Sequence, residues 1–175
     1  MNNSLDGTLR WYLVARDALR VTRRVFDRKT LDIIMAKHCF FHHSREDAIK
    51  EIDKTELDLN NSAVVALVAA FERSFRDHLQ TILKNSLLEN GPVIAAMKIE
   101  FKDEIEYWNL KDPIIDKIFN LQVEPDLRGQ VKQIIVYRNA VAHGHPVDGD
   151  PPEYSKPKTV HKRLTEFMRQ CGVTV

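Results

Sequence analysis

The stretch 61–88, NSAVVALVAAFERSFRDHLQTILKNSLL, decides the fold class. Its apolar residues recur at spacings of three and four, which is the period of an α-helix with one buried face. They are Val64, Val65, Leu67, Val68, Phe71, Phe75, Leu79, Ile82 and Leu83. Asn61 or Ser62 would cap the first turn, and Asn90-Gly91-Pro92 would end the helix. The pattern predicts one long amphipathic helix.

The same helical period continues on both sides of this stretch. The predicted helices before it lie at 9–28, 31–41 (a separate helix or a continuation of the first) and 44–53, and those after it at 93–108, 112–121, 124–143 and 158–172. Ser44 with Asp47 three residues later resembles a capping box. The segment 144–157 is rich in proline and glycine and predicts a loop. We therefore expect an all-α fold, a bundle of about five to seven helices in a single domain at 1–175.

The bulk composition is that of an ordinary globular protein, with 43% apolar and 29% charged residues in a chain of 175. A net charge of +1 argues against a generally basic surface, but it leaves room for a local basic stripe. The only cysteines, Cys39 and Cys171, are far apart and predict a reduced, cytoplasmic protein. The longest apolar run, 62–70, is too short to span a bilayer, and no signal peptide is visible. We expect no association with a membrane.

The most informative short motif runs from Tyr137 to Gly144, YRNAVAHG. It places a permanent cation, an amide and an imidazole, those of Arg138, Asn139 and His143, at the end of an otherwise apolar helix. Asn139 and His143 are four positions apart and share a face, whereas Arg138 and His143 lie roughly 140° apart on an ideal helix. Either unwinding at Gly144 or a two-fold dimer would be needed to aim Arg138 and His143 at one point.

These residue types suit cleavage of RNA without a metal. A base must remove the proton of the 2′-hydroxyl, an acid must protonate the leaving 5′-oxygen, and a cation must stabilise the charged phosphorane. Histidine titrates near neutral pH and can act as the acid or the base. Arginine stays charged and grips phosphate oxygens with a two-pronged fork. A single histidine in the motif leaves the reaction one proton carrier short. A symmetric dimer would supply the second, and water or the substrate could also fill this role.

The pattern Arg138-Asn139-x-x-x-His143 resembles the Arg-x4-to-6-His signature of HEPN domains, where a polar residue commonly follows the arginine. The segment 69–76, AAFERSFR, is similar to the second core helix of that superfamily, in which a polar or acidic residue often faces the motif. The resemblance covers mainly 62–88 and 126–144. It implies a helical bundle that dimerises with both motifs at the interface. It also implies a metal-independent endoribonuclease that acts as a toxin or in defence against phage.

The resemblance implies specific roles for residues of this chain. Arg138 would stabilise the phosphate, His143 would act as acid and base, Asn139 would orient one of them, and Glu72 would support the site. Arg73, Arg76 and His145 would contact RNA. The implied partners are RNA, a second copy of the chain and an antitoxin or defence-system protein, with no cofactor and no metal.

One departure from the family pattern concerns the position two residues after the histidine. Some HEPN toxins carry a tyrosine there that a nucleotidyltransferase modifies, and this chain has His145. Silencing by tyrosine modification is therefore not expected, and His145 could be a second proton carrier.

Structural interpretations compete with the functional one. Basic residues near the last carbonyls of a helix, followed by Gly144, suit an ordinary helix end. Glu72 and Arg76 are four apart and could form a surface ion pair. If these interpretations hold, the protein is a non-catalytic HEPN-like module that binds RNA, binds a protein or dimerises.

Two further patterns receive structural interpretations. Arginines repeat every four residues at Arg16, Arg20, Arg24 and Arg28, with Arg23 beside them. Asp17 and Asp27 dilute this row, so we interpret it as a solvated face and not as an RNA track. The cluster His38, Cys39, His42 and His43 has a zinc-compatible spacing at positions 38 and 42, but it lacks a second ligand group, so ordinary packing is favoured.

Overall fold

The computed structural model describes residues 4–27, 40, 42–85, 104–105, 107, 109–112, 114–143 and 155–173. These residues form α1 (Leu5–Asp27), α2 (Arg45–Asn85), a π-helical segment (Ile114–Ile118), α3 (Pro125–His143) and α4 (Pro157–Gln170). No β-strand occurs within them. The prediction of an all-α fold is confirmed for this part of the chain.

α2 differs most from its prediction. The expected break between 44–53 and 61–88 is wrong, because α2 is one continuous helix of 41 residues. Its start agrees with the capping prediction: the Asp47 amide donates to Ser44 Oγ at 3.1 Å, and the Ser44 hydroxyl donates to Asp47 Oδ2 at 2.6 Å.

Two consecutive asparagines explain why the predicted cap does not exist. The Tyr12 hydroxyl of α1 donates to Asn60 Oδ1 at 2.8 Å, and the Tyr137 hydroxyl of α3 donates to Asn61 Oδ1 at 2.6 Å. The Asn61 amide, one of the two predicted caps, therefore makes a tertiary contact in the middle of α2, as does the neighbouring Asn60. They hold α1 and α3 against it.

The other elements follow the predictions more closely. α1 begins at Leu5, earlier than expected, because Ser4 Oγ accepts the Gly7 amide at 3.1 Å and caps the helix. α3 and α4 agree with their predicted positions, and the helix predicted at 112–121 contains the π-helical segment. The predictions at 31–41 and 93–108 and in the loop at 144–157 lie largely outside the described residues.

One hydrophobic core joins these elements. At its centre, the Phe71 and Phe75 rings of α2 lie 4.7 Å apart, and Phe75 meets Phe119 at 5.3 Å and Phe167 of α4 at 5.5 Å. Each such aromatic pair stabilises the fold by about 0.5–1.5 kcal/mol beyond what the burial of its surface contributes. A smaller cluster of Phe26, Ala48 and Ile52 joins α1 to the start of α2. None of the described helices is long and apolar enough to cross a membrane.

Candidate active site

The arginine of the motif forms an ion pair between two helices. Nη2 of Arg138 on α3 lies 2.8 Å from Oε2 of Glu72 on α2, and the two side chains are 21% and 25% exposed. Nε of Arg138 is buried and has no hydrogen-bond partner among the described residues. A buried donor without a partner costs about 1–3 kcal/mol, and native proteins carry few of them. The structure thus places together two of the predicted site residues.

Tyr137 fixes the backbone immediately before Arg138. Its side chain is buried in the core, and its hydroxyl donates to Asn61 of α2. Burial raises the pKa of the Tyr137 hydroxyl, which keeps it protonated and able to donate. This contact was not predicted from the sequence. Tyr137 is the first residue of the motif, but Asn61 was interpreted as a possible helix cap.

His143 occupies a different environment from Arg138. It is the last residue of α3 and is exposed, whereas Asn139 is half-buried. α3 is helical from Pro125 through His143, so the roughly 140° between Arg138 and His143 persists. Arg138 is turned towards α2 and His143 lies in solvent. A single chain therefore does not bring these two side chains to one point within the residues described.

A small pocket of about 260 Å³ lies beside the Glu72–Arg138 pair. Its lining consists of Ala69, Glu72, Arg73, Arg76 and Asp77 of α2. The Arg76 guanidinium donates to the main-chain carbonyl of Ile105, which ties α2 to the segment before the π-helix. Arg73 is exposed. Arg73 and Arg76, which were predicted to contact RNA, thus both line this pocket. His145, the third residue predicted to contact RNA, lies outside the described residues.

The arginine row of α1 is largely paired with carboxylates. Arg16 contacts Asp17 at 2.9 Å, Arg20 lies 3.9 Å from Glu56, and Arg23 contacts Asp53 at 2.7 Å. The last two pairs attach α1 to α2. Arg20 and Arg23 agree with a solvated, charge-balanced face, whereas the Arg16 side chain is only 14% exposed and its guanidinium lies over the Tyr12 ring. Arg28 lies outside the described residues.

The remaining candidate groups do not form a second site in the part of the chain with described positions. No cluster of three or more His, Cys, Asp or Glu suited to a metal occurs there, and His38 and Cys39 fall outside it. His43 packs edge-on against Phe40 with ring centroids 5.8 Å apart. Burial raises the pKa of the Cys171 thiol to about 12, so it stays protonated and is a poor nucleophile near neutral pH.

Comparison of the chain with protein-family models, with curated proteins and with solved structures found no match. The resemblance to HEPN domains therefore rests on the sequence alone, mainly on 62–88 and 126–144, and stays a prediction.

Proposed function

We propose that this protein is a metal-independent endoribonuclease whose composite site forms between two copies of the chain. The observation that carries the proposal is the Glu72–Arg138 ion pair, which fixes a phosphate-binding cation on the helix that ends in an exposed histidine. An arginine held by a carboxylate is pre-organised, because less side-chain freedom is lost when a phosphate binds.

In the proposed reaction the 2′-hydroxyl of a ribose attacks the adjacent phosphorus. The new 2′-oxygen–phosphorus bond forms as the bond to the 5′-oxygen breaks, which leaves a 2′,3′-cyclic phosphate and a free 5′-hydroxyl. His143 of one copy removes the 2′-hydroxyl proton, and His143 of the other protonates the leaving oxygen. Arg138 stabilises the charge on the phosphorane, and Asn139 orients the histidine with which it shares a helix face.

The geometry of α3 supports the proposal of a second copy. Arg138 faces α2 and His143 faces solvent, so a complete set of groups requires another source of one of them. A two-fold axis near the end of α3 would place each exposed His143 beside the other copy's Arg138. Such a ribonuclease would suit a toxin of a toxin–antitoxin pair or an anti-phage effector.

Incubating purified protein with single-stranded RNA in the presence of EDTA tests this function. The wild type should cleave the RNA, and His143→Ala should cleave it at least about 100-fold more slowly, since acid–base groups contribute about 10²–10⁴-fold. His42→Ala, which removes an exposed histidine outside the motif, serves as the matched control and should keep the wild-type rate. Equal cleavage by His143→Ala and the wild type would refute the mechanism.

A second candidate function is a non-catalytic HEPN-like module that binds RNA or a protein. The Glu72 carboxylate favours it, since it already compensates the Arg138 charge that a reacting phosphate would use. This alternative predicts that the wild type binds RNA, or binds none, and releases no product in the same assay.

A further inference from the structure

A groove of about 850 Å³ runs between α1 and α2. We call it the Trp11 groove, and its lining includes Arg10, Trp11 and Val14 of α1 with Ala66, Ala69 and Arg73 of α2. The alanines leave room along α2, and Trp11 is 42% exposed at the edge of that room. An accessible aromatic ring beside small side chains can accept a flat ring stacked on it. The volume falls within the range of about 300–1,000 Å³ that small-ligand sites occupy.

The charges of the Trp11 groove are of one sign. Arg10 and Arg73 are both exposed, and neither forms an ion pair with any residue that the structure describes. No carboxylate is among the described residues that line the groove. Three of the four described arginines further along α1 differ, because Arg16, Arg20 and Arg23 each have a carboxylate partner. The groove therefore complements an anion that also carries flat apolar rings.

The Trp11 groove continues into the candidate active site. Ala69 and Arg73 line both this groove and the smaller pocket. That pocket also contains Glu72, which holds Arg138. A ligand lying along the groove would thus extend towards the Arg138 guanidinium.

We propose that the Trp11 groove binds single-stranded RNA, with a base stacked on Trp11 and phosphates contacting Arg10 and Arg73. Basic grooves with exposed aromatic rings bind single strands in this way, and stacking tolerates any base because each has a π-face. The inference rests on the proposed function in one respect: it supplies the path by which the RNA substrate reaches Arg138. A second copy of the chain seated in the groove is the competing occupant.

The most direct test uses the fluorescence of Trp11 itself. The chain has two tryptophans, so Trp108→Phe leaves Trp11 as the sole emitter and Trp11→Phe leaves Trp108. Both variants are made in a His143→Ala background with EDTA, so that binding is measured whether or not the wild type cleaves RNA. The ligand is a single-stranded RNA about 12 nucleotides long, within the site sizes of about 4–16 nucleotides that such grooves occupy. We expect saturable quenching of Trp11.

Binding affinity, measured by the anisotropy of the same RNA with a fluorescent label, gives an independent readout. Trp11→Leu keeps apolar bulk but removes the stacking ring, and it should weaken binding about 10-fold. Trp11→Phe should stay within about twofold, and Arg73→Gln should weaken binding and lower its salt dependence by about one charge. Arg24→Gln removes an exposed arginine of α1, the helix of Trp11, outside the groove, and should change the affinity less than about twofold.

Several outcomes would overturn the assignment. They are an absence of RNA binding, unquenched Trp11 in the presence of bound RNA, or equal affinity of Trp11→Leu and its parent. Light scattering of the same variants identifies the alternative occupant: if Trp11→Leu converts a dimer to a monomer with unchanged RNA affinity, the groove holds a second copy. If the wild type does not cleave RNA but RNA still quenches Trp11 fluorescence, the proposed nuclease activity is refuted and the RNA-binding groove is supported.

Discussion

The buried side of α3 and its exposed end differ in what surrounds them. On the buried side Val131, Ile134 and Ile135 lie in the main core, and Ile134 is 0% exposed. Arg138 follows Ile134 by four positions, so it shares this side and is held at the core's edge by Glu72. His143 lies roughly 140° from Arg138 and is exposed at the helix end. Substitution of the buried apolar residues should therefore lower stability, whereas substitution of His143 should lower RNA cleavage alone.

The largest expected effect on stability comes from the buried side. Ile134→Ala should lower the free energy of unfolding by about 2–5 kcal/mol, because it removes buried methyl groups and leaves a cavity. Urea denaturation measures this change. Gln133→Ala, at the exposed neighbouring position, should change stability by less than about 0.5 kcal/mol. Equal effects of the two substitutions would mean that α3 is not packed as described.

The ion pair between Glu72 and Arg138 should have an intermediate effect. A double-mutant cycle of Glu72→Gln and Arg138→Gln should give a coupling of about 1 kcal/mol, since the pair is more shielded than ordinary surface pairs. The matched comparison is Glu166–Arg169 of α4, whose side chains are 40% and 69% exposed. Hydrogen bonds from Arg169 and Gln170 lower the pKa of Glu166 to about 2. The coupling energy of this pair should still be smaller, because solvent screens its exposed charges. A coupling of zero for Glu72–Arg138 would contradict its role in fixing the guanidinium.

The Tyr137–Asn61 hydrogen bond should contribute about 1 kcal/mol, which Tyr137→Phe would remove. Because burial raises the pKa of Tyr137, the folded state holds this proton more tightly than the unfolded state. The contribution is therefore complete below about pH 10 and is lost as the pH rises through the folded pKa. Denaturation of the wild type and of Tyr137→Phe at neutral and alkaline pH should show a weaker alkaline loss in the variant. Tyr107→Phe, at a side chain 88% exposed, is the control and should behave as the wild type.

The smallest expected effect is that of His143→Ala on stability. His143 is exposed at the helix end, so its removal should change the free energy of unfolding by less than about 1 kcal/mol while cleavage falls. Denaturation and cleavage measured on one preparation give both values. A stability loss above about 2 kcal/mol would identify His143 as a structural residue and contradict the distinction between the buried side and the exposed end.

Local sequence signals predicted most of the described helices and failed where a tertiary contact decides. Pro125 and Pro157 stand at the first positions of α3 and α4, where proline's missing amide donor does no harm, so both starts were predictable. Asn61 resembles a helix cap locally, yet its partner is Tyr137, 76 positions away, so the continuous α2 was not predictable. The neighbouring Asn60 likewise bonds to a tyrosine 48 positions away.

The candidate site shows the same division. The motif and its resemblance to HEPN domains predicted Glu72 and Arg138 as site residues, and the two side chains form an ion pair. The Trp11 groove depends on how α1 lies against α2, and Trp11 carries no local signal that distinguishes it from an ordinary apolar residue. Likewise, the separation of Arg138 from His143 follows from helix geometry, whereas the supporting Tyr137–Asn61 contact required the packed structure.

The central claim is that two copies of the chain complete one site, to which each copy contributes its His143. Dimers that pair a wild-type chain with a His143→Ala chain, isolated through different tags on the two chains, test it directly. Such a dimer retains only one of the two proton carriers, so it should cleave RNA at least about 100-fold more slowly than a dimer of two tagged wild-type chains. A mixed dimer that keeps about half of the wild-type rate would mean that each copy acts alone and would contradict the composite site.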